Sequence, residues 1–219
     1  MLLVGFACEA SNSISFPACD SQWYFAADGG VAWEQSLNWQ IYGIEAFHFY
    51  ESPAWRRFHA KFDPGYRADV RFGRQFTNGL SLEFETGVAK NSLANPDEIF
   101  FGKVNVDLYQ IPLMVNLIYH IPAWHRLRPF AGVGFGAGAA IIQGDDRGKP
   151  ADSETRFDAS FAMQAIGGLE YRIGRSLDLD LSYKCFYAQE YAWTFGPDIP
   201  QRIRDSFNHS VVASVCWHF

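Results

Sequence analysis

The sequence predicts an all-β fold: a closed, antiparallel, transmembrane β-barrel of about eight strands with long extracellular loops. Three observations carry this. Segments of roughly ten residues place apolar side chains on one parity and polar or small ones on the other, as when a strand shows one face to lipid and the other to a lumen. The spacers between these segments alternate short and long. The longest apolar stretch, Pro129 to Ile142, has 14 residues and is rich in glycine, short of the roughly 20 that a spanning helix needs. A mean hydropathy of -0.12 is also too polar for a bundle of membrane helices.

The alternation runs through the chain. Trp23, Phe25, Ala27, Gly29, Val31 and Trp33 oppose Tyr24, Ala26, Asp28, Gly30, Ala32 and Glu34. Ala68, Val70 and Phe72 oppose Arg67, Asp69, Arg71 and Gly73, and Leu80, Leu82, Phe84 and Val88 oppose Ser81, Glu83, Glu85 and Ala89. Further on, Phe161, Met163, Ala165, Leu169 and Tyr171 oppose Ala162, Gln164, Ile166, Glu170 and Arg172. Leu177, Leu179, Leu181 and Tyr183 oppose Asp178, Asp180, Ser182 and Lys184, and the chain ends on Val211, Val215, Trp217 and Phe219 against Ser210, Ser214, Cys216 and His218. In 131–141 the second parity is mostly glycine (Gly132, Gly134, Gly136, Gly138), which leaves room for bulky lumen residues. Between Val104 and Tyr119 the apolar parity changes from even to odd, and a bulge near Tyr109-Gln110 is expected to absorb the change. Arg74 falls on the lipid parity, close enough to the Asn78-Gly79 turn to reach the headgroups.

Asn78-Gly79 is a strong hairpin signal, and 122–127 and 174–176 are also short. The expected long loops are 35–66, 90–103, 143–159 and 193–207. Short turns on one rim and long loops on the other are the outer-membrane arrangement, with the long loops outside the cell and both termini on the periplasmic side. The first long loop carries Trp39, Phe47, Phe49, Tyr50, Trp55 and Phe58. Trp55, Phe58 and Phe62 stand at helical spacing, so a short amphipathic helix is expected over 53–62, serving as a lid on the barrel mouth or as a docking surface.

Composition narrows the function classes. The net charge is -6, and no basic patch is interleaved with aromatics, so nucleic acid is not an expected partner. No cofactor is implied. The histidines His48, His59, His120, His125 and His218 have no metal-ligand spacing and read as isolated surface side chains. Residues 1–20 read as signal-like or as an N-terminal periplasmic arm, and 21–219 as the barrel. Cys8 and Cys19 are candidates to pair in an oxidising compartment. Cys185 and Cys216 fall on opposite parities and are not expected to pair.

Several stretches resemble the OmpA/OmpX-like and Opacity-type outer-membrane barrels: Tyr66-Arg67-Ala68-Asp69-Val70-Arg71-Phe72-Gly73, Asn78-Gly79-Leu80-Ser81-Leu82-Glu83, Tyr109-Gln110-Ile111-Pro112-Leu113 and Arg128-Pro129-Phe130-Ala131-Gly132-Val133-Gly134. Trp217 and the terminal Phe219 resemble the end signal that the outer-membrane assembly machinery reads. The resemblance implies a barrel in the outer membrane of a Gram-negative bacterium, with outer-membrane lipid and the assembly machinery as partners and another envelope protein or complex as a further candidate. With the sequence ending at Phe219, no cell-wall-anchoring domain such as longer family members carry is expected after the barrel.

The lumen parity collects charges of both signs: Asp28, Arg67, Asp69, Arg71, Glu83, Glu85, Glu170, Arg172, Asp178, Asp180 and Lys184. The interior of a barrel of about eight strands is barely wide enough for its own side chains. Charges buried there must pair. The expectation is therefore a salt-bridged, closed lumen in a structural or interaction protein that presents loops to partners or the envelope, and no catalytic activity. The alternatives are a lipid A-modifying enzyme and a small solute or ion pore. His209-Ser210 is the one candidate nucleophile pair, but neighbours on a strand face opposite sides and do not meet easily.

Overall fold

The structure, a computed structural model, describes residues 22–43, 54–94, 104–122, 126–146, 154–174, 176–195 and 199–219. These form antiparallel strands and no helix: β1 (Gln22–Glu34), β2 (Leu37–Gly43), β3 (Ala54–Ala60), β4 (Gly65–Gln75), β5 (Leu80–Ser92), β6 (Val104–His120), β7 (Leu127–Asp146), β8 (Glu154–Arg172), β9 (Leu177–Phe195) and β10 (Ile199–His218). From β4 to β10 each strand pairs with the next in sequence, β2 pairs with β3 and β10, and β1 pairs with β4 and with β10 to close a ring.

The strands make eight ribbons, because β1 and β2 are one ribbon, as are β3 and β4. Gln35 N bonds Phe207 O at 2.8 Å between the β1–β10 and β2–β10 pairings, which share one register. The β4–β1 and β3–β2 pairings share another. Following paired residues round the ring gives the stagger. Phe25 leads through Phe72, Phe84, Val115, Phe135, Met163, Tyr187 and Phe207 to Gln35, ten residues further along the first ribbon. Strands staggered this way tilt by about 40° and enclose an interior that side chains fill.

From Phe25 to Phe207 the row is built of apolar and aromatic side chains on the outward parity. The outer surface carries Phe72, Leu82, Phe84, Val115, Val133, Phe135, Leu179, Leu181 and Val215, all exposed. Aromatic girdles bound this band, with Trp23, Phe76, Tyr119, Tyr171, Trp217 and Phe219 near the short turns and Trp33, Tyr66 and Tyr183 at the other end. Arg74 sits in the lower girdle over the rings of Trp23 (5.4 Å) and Phe76 (5.8 Å).

The strands continue beyond the bilayer. A spanning strand needs about 9–11 residues, whereas β7 and β10 have 20 each. Strand residues therefore occupy 37–43, 54–60, 90–92, 143–146, 154–159, 193–195 and 199–207 of the segments expected as long loops. The helix expected over 53–62 is instead β3, paired with β2 from Leu37↔Ala60 to Gly43↔Ala54. Phe58 and Phe62 also satisfy a period of two against Arg57, His59 and Lys61, and the ladder with β2 decides between the two periods.

The expected bulge near Tyr109-Gln110 is absent. The β6–β7 register is constant from Val104↔Asp146 to His120↔Phe130, and even-numbered residues face inward throughout. The apolar parity changes because the environment does. Beside lipid the outward face is apolar, whereas above the membrane Val106 and Leu108 turn their apolar side chains into the barrel.

Above the membrane the ring divides. The β8–β9 ladder ends at Ala162↔Ala188. Beyond it, Ser160 Oγ accepts from Glu190 N (3.0 Å) and Asp158 Oδ2 from Ala192 N (2.6 Å), so side chains replace backbone carbonyls. On the other side, β5 meets the second ribbon through the Phe62↔Leu93 bridge, and β3 then runs on beside β2 alone among the described strands. The inward parity switches at this level in four adjacent ribbons: at Gln35-Ser36, at 61–64, at Gln189-Glu190 and at Arg204-Asp205. Asp205 takes a positive φ of 54° there. The upper wall is thus two facing sheets, β3–β2–β10–β9 and β6–β7–β8. Leu37, Trp39, Tyr191, Trp193 and Ile203 from the first pack against Val106, Leu108, Ala140 and Ile142 from the second.

Candidate functional site: the filled lumen

Charges from both walls converge in the membrane-level lumen. Alternation aims Asp28 of β1, Arg67, Asp69 and Arg71 of β4, Glu83 and Glu85 of β5, and Asp180 and Lys184 of β9 inward, and all are buried. Arg67 donates to Asp69 at 2.6 Å and to Glu85 at 2.7 Å. Lys184 holds Asp28 (2.8 Å), Asp69 (2.9 Å) and Glu85 (2.9 Å). Arg71 reaches Asp28 (2.9 Å), Asp180 (3.0 Å) and Glu83 (3.4 Å). In this knot three cations face five carboxylates, and neutral donors take up further lone pairs. Asn116 Nδ2 bonds both Glu83 and Glu85 at 2.8 Å, Gln164 bonds Glu85 at 3.1 Å, and Tyr24 donates to Glu83 at 2.8 Å.

Space for the knot comes from β7. A Cβ on Gly134 would overlap Asn116 Oδ1, and one on Gly138 would lie 2.7 Å from both Phe186 Cζ and Tyr191 Oη.

A second ionic group lies nearer the short turns. Arg128 pairs with Glu170 at 2.6 Å, and His120 Nε2 lies 3.5 Å from the same carboxylate. Asp178 takes His218 at 3.0 Å and the half-exposed Arg172 at 3.7 Å. Arg128, Glu170, His120 and His218 line a small pocket with Tyr24, Gln75, Phe130 and Cys216. His120 and His218 are therefore inward-facing members of this group, which corrects their reading as isolated surface residues. Their parity places them inside, whereas the surface reading rests on their lack of metal-ligand spacing, which does not bear on which side they face.

A polar layer of amides and hydroxyls around the carboxyl group of Glu34 separates the knot from the apolar core above. Glu34 accepts from Ser206 (2.6 Å) and Asn208 (3.0 Å), Asn208 also bonds Asn91 (3.0 Å), and Gln110 bonds Ser206 (2.8 Å). The amides and hydroxyls Asn91, Gln110, Asn116, Gln164, Ser206 and Asn208 were missed as network members. They stand on the lumen parity, and that signal was available.

Among the expected loop residues, Trp39 is fully buried in the apolar core, bonded to Gln201 at 2.9 Å and edge-on to Trp193 at 5.8 Å. Phe58 packs partly buried against that core. Trp55 lies in β3, and Phe47, Phe49 and Tyr50 lie outside the described residues, as do Cys8 and Cys19. Cys185 and Cys216 are free thiols. Ser210 is buried beside Arg67 (3.4 Å), while His209 faces outward, bonded to Tyr183 (2.6 Å) and stacked on Trp33. The pair does not meet. Among the described residues no group of three His, Cys, Asp or Glu side chains is arranged to hold a metal ion.

The family model for the outer membrane protein beta-barrel domain matches residues 5–219. The chain belongs to that family. It therefore resides in the outer membrane of a Gram-negative-type bacterium, as the OmpA/OmpX-like resemblance implies. Among solved structures it is similar to Neisserial surface protein A, at 15% identity, covering 90% of this chain and 97% of that one, with a TM-score of 0.56. It is also similar to the outer membrane protein OprG from Pseudomonas aeruginosa, at 11% identity, covering 91% and 97%, with a TM-score of 0.54. At these identities the likeness concerns the fold alone. No curated protein sequence matches the chain.

Proposed function

We propose that this barrel is a structural and interaction protein: a sealed cylinder that raises a rigid two-sheet wall above the membrane for contact with partner proteins or the envelope. The observation that carries the reading is the stack of fillings along the lumen. An ionic knot spans it at membrane level, a hydrogen-bonded polar layer lies above, and an apolar core fills the extracellular end. Passage of a solute would require separating Lys184 from its three carboxylates and parting Trp39 from Trp193. Removing one partner from a buried pair costs about 3–5 kcal/mol. The strand length beyond the bilayer then supports the raised wall rather than a pore mouth.

The test is single-channel recording of the purified barrel in planar bilayers, alongside cross-linking in native membranes. The reading expects no discrete conductance and cross-links from the upper wall to neighbouring envelope components. Steady openings in the unmodified protein would replace it with the pore reading.

A further inference from the structure

One surface is at odds with the charge of the rest. The chain carries a net charge of -6. Yet the outward face of the sheet β3–β2–β10 presents Arg57 and His59 from β3, Lys61 just after it, and Arg202 and Arg204 from β10. Register puts them side by side. Arg57 pairs across to Gln40, and Gln40 pairs across to Arg202. In the next row His59 pairs with Asn38, and Asn38 with Arg204. Arg57 and Arg202 thus flank one neutral residue at roughly 10 Å, two inter-strand spacings. Gln40 is buried beneath them and accepts from Arg202 Nε at 2.7 Å. The acid beside this face is Glu190, ion-paired with Arg204 at an exposed site, where such a pair contributes little and exchanges readily. Asp63 and Asp205 lie at its lower margin, and Asp205 is engaged by Tyr187 at 2.9 Å. The facing sheet presents Asn105, Asp107, Gln143 and Thr155 outward instead.

The arrangement suits an anion that Arg57 and Arg202 can share across Gln40. Its position selects the anion. The face looks sideways, in the plane of the membrane. It begins just above the outer girdle residues Trp33 and Tyr66 and rises roughly 20 Å, given the strand rise and tilt. In an outer membrane that is the layer of sugars attached to the outer leaflet, whose lipid and core units carry phosphates. Guanidinium groups suit phosphate because their planar forks donate two parallel bonds.

We propose that the outward face of β3, β2 and upper β10, centred on Arg57, Arg202 and Arg204, binds the phosphorylated sugars of neighbouring lipopolysaccharide. The inference rests on the raised wall of the reading above and names its partner as an anionic glycolipid. It does not depend on the lumen being sealed, so a conductance would leave it standing.

The experiment uses the full chain in phospholipid nanodiscs and titrates soluble, de-acylated lipopolysaccharide oligosaccharide that retains its core phosphates. The unmodified protein is expected to bind it, with affinity falling as salt rises. The same oligosaccharide after phosphatase treatment is expected to bind at least tenfold more weakly, and the triple variant Arg57→Gln, Arg202→Gln, Arg204→Gln to lose at least as much. Equal binding of the phosphorylated and dephosphorylated oligosaccharides overturns the proposal. So does a heparin fragment that competes at equal affinity, which would point to a soluble polyanion instead. Retained binding by the triple variant overturns the site. Heat-modifiable gel mobility confirms that the variant has folded; if it has not, the phosphatase comparison on the unmodified protein still decides.

Discussion

Lys184 of β9 and Glu85 of β5 stand on opposite walls of the ring, and their side chains meet at 2.9 Å in the middle of the lumen. Between those strands run β6, β7 and β8 on one side and β10, β1 and β4 on the other. One ammonium therefore ties the two halves of the cylinder together, and it holds Asp28 and Asp69 at the same time.

Removing that ammonium leaves the two arginines, Arg67 and Arg71, to offset five buried carboxylates. Lys184→Met is expected to destabilise the barrel by about 3–5 kcal/mol, the usual cost of taking one partner out of a buried ion-pair network. Glu85→Gln keeps its shape and some of its hydrogen bonds and is expected to cost less. In the double variant part of the Lys184→Met penalty returns, because one of the excess negative charges is gone. Urea unfolding of the refolded protein in lipid vesicles measures all three. Strict additivity of the two single effects would mean that the pair is not coupled as its geometry implies.

Trp39 carries the upper core. Its ring is fully buried, bonded to Gln201 and edge-on to Trp193. Trp39→Ala is expected to cost about 3–5 kcal/mol locally. The loss is expected to fall on the two facing sheets, because the ionic knot below does not touch this residue. Hydrogen exchange measures this: amides of β2, β3 and upper β10 gain exchange, while those of β4, β5 and lower β9 keep their protection. Uniform loss along whole ribbons would instead make the barrel one cooperative unit.

Trp39 also marks where the sequence was legible and where it was not. Within the membrane, lipid on one side and a polar lumen on the other impose opposite chemistry on alternate residues, so parity places Asp28, Arg67, Glu83 and Lys184 without structural information. Above the membrane water replaces lipid, and the same strands reverse their dressing. Val104, Val106 and Leu108 therefore mimic a bulge, although β6 is regular. Leu37-Asn38-Trp39-Gln40-Ile41 alternates as cleanly as any spanning strand. Its inward parity is shifted relative to β1 at Gln35-Ser36, which makes it look like a separate loop. The pairings within the knot were not legible, because parity gives the direction of a side chain but not the stagger of ten residues that decides which charges meet.

The seam between β8 and β9 supplies the third prediction. Beyond Ala162↔Ala188 the sheet is joined by Ser160 and Asp158, whose side chains accept from the amides of Glu190 and Ala192. A carboxylate accepting from an amide is a strong bond, about twice a neutral one, and here one such bond and one to a serine hydroxyl stand where the ladder has ended. Asp158→Ala with Ser160→Ala leaves both amides without their acceptors and is expected to speed exchange at Glu190 and Ala192 by at least tenfold. Amides in the β9–β10 ladder beside them are expected to hold, because Tyr191↔Ile203 and Trp193↔Gln201 remain paired. Asp158→Asn keeps an acceptor oxygen and is expected to restore most of the protection at Ala192. If the double variant leaves both amides as protected as before, backbone pairing rather than these side chains closes the wall there.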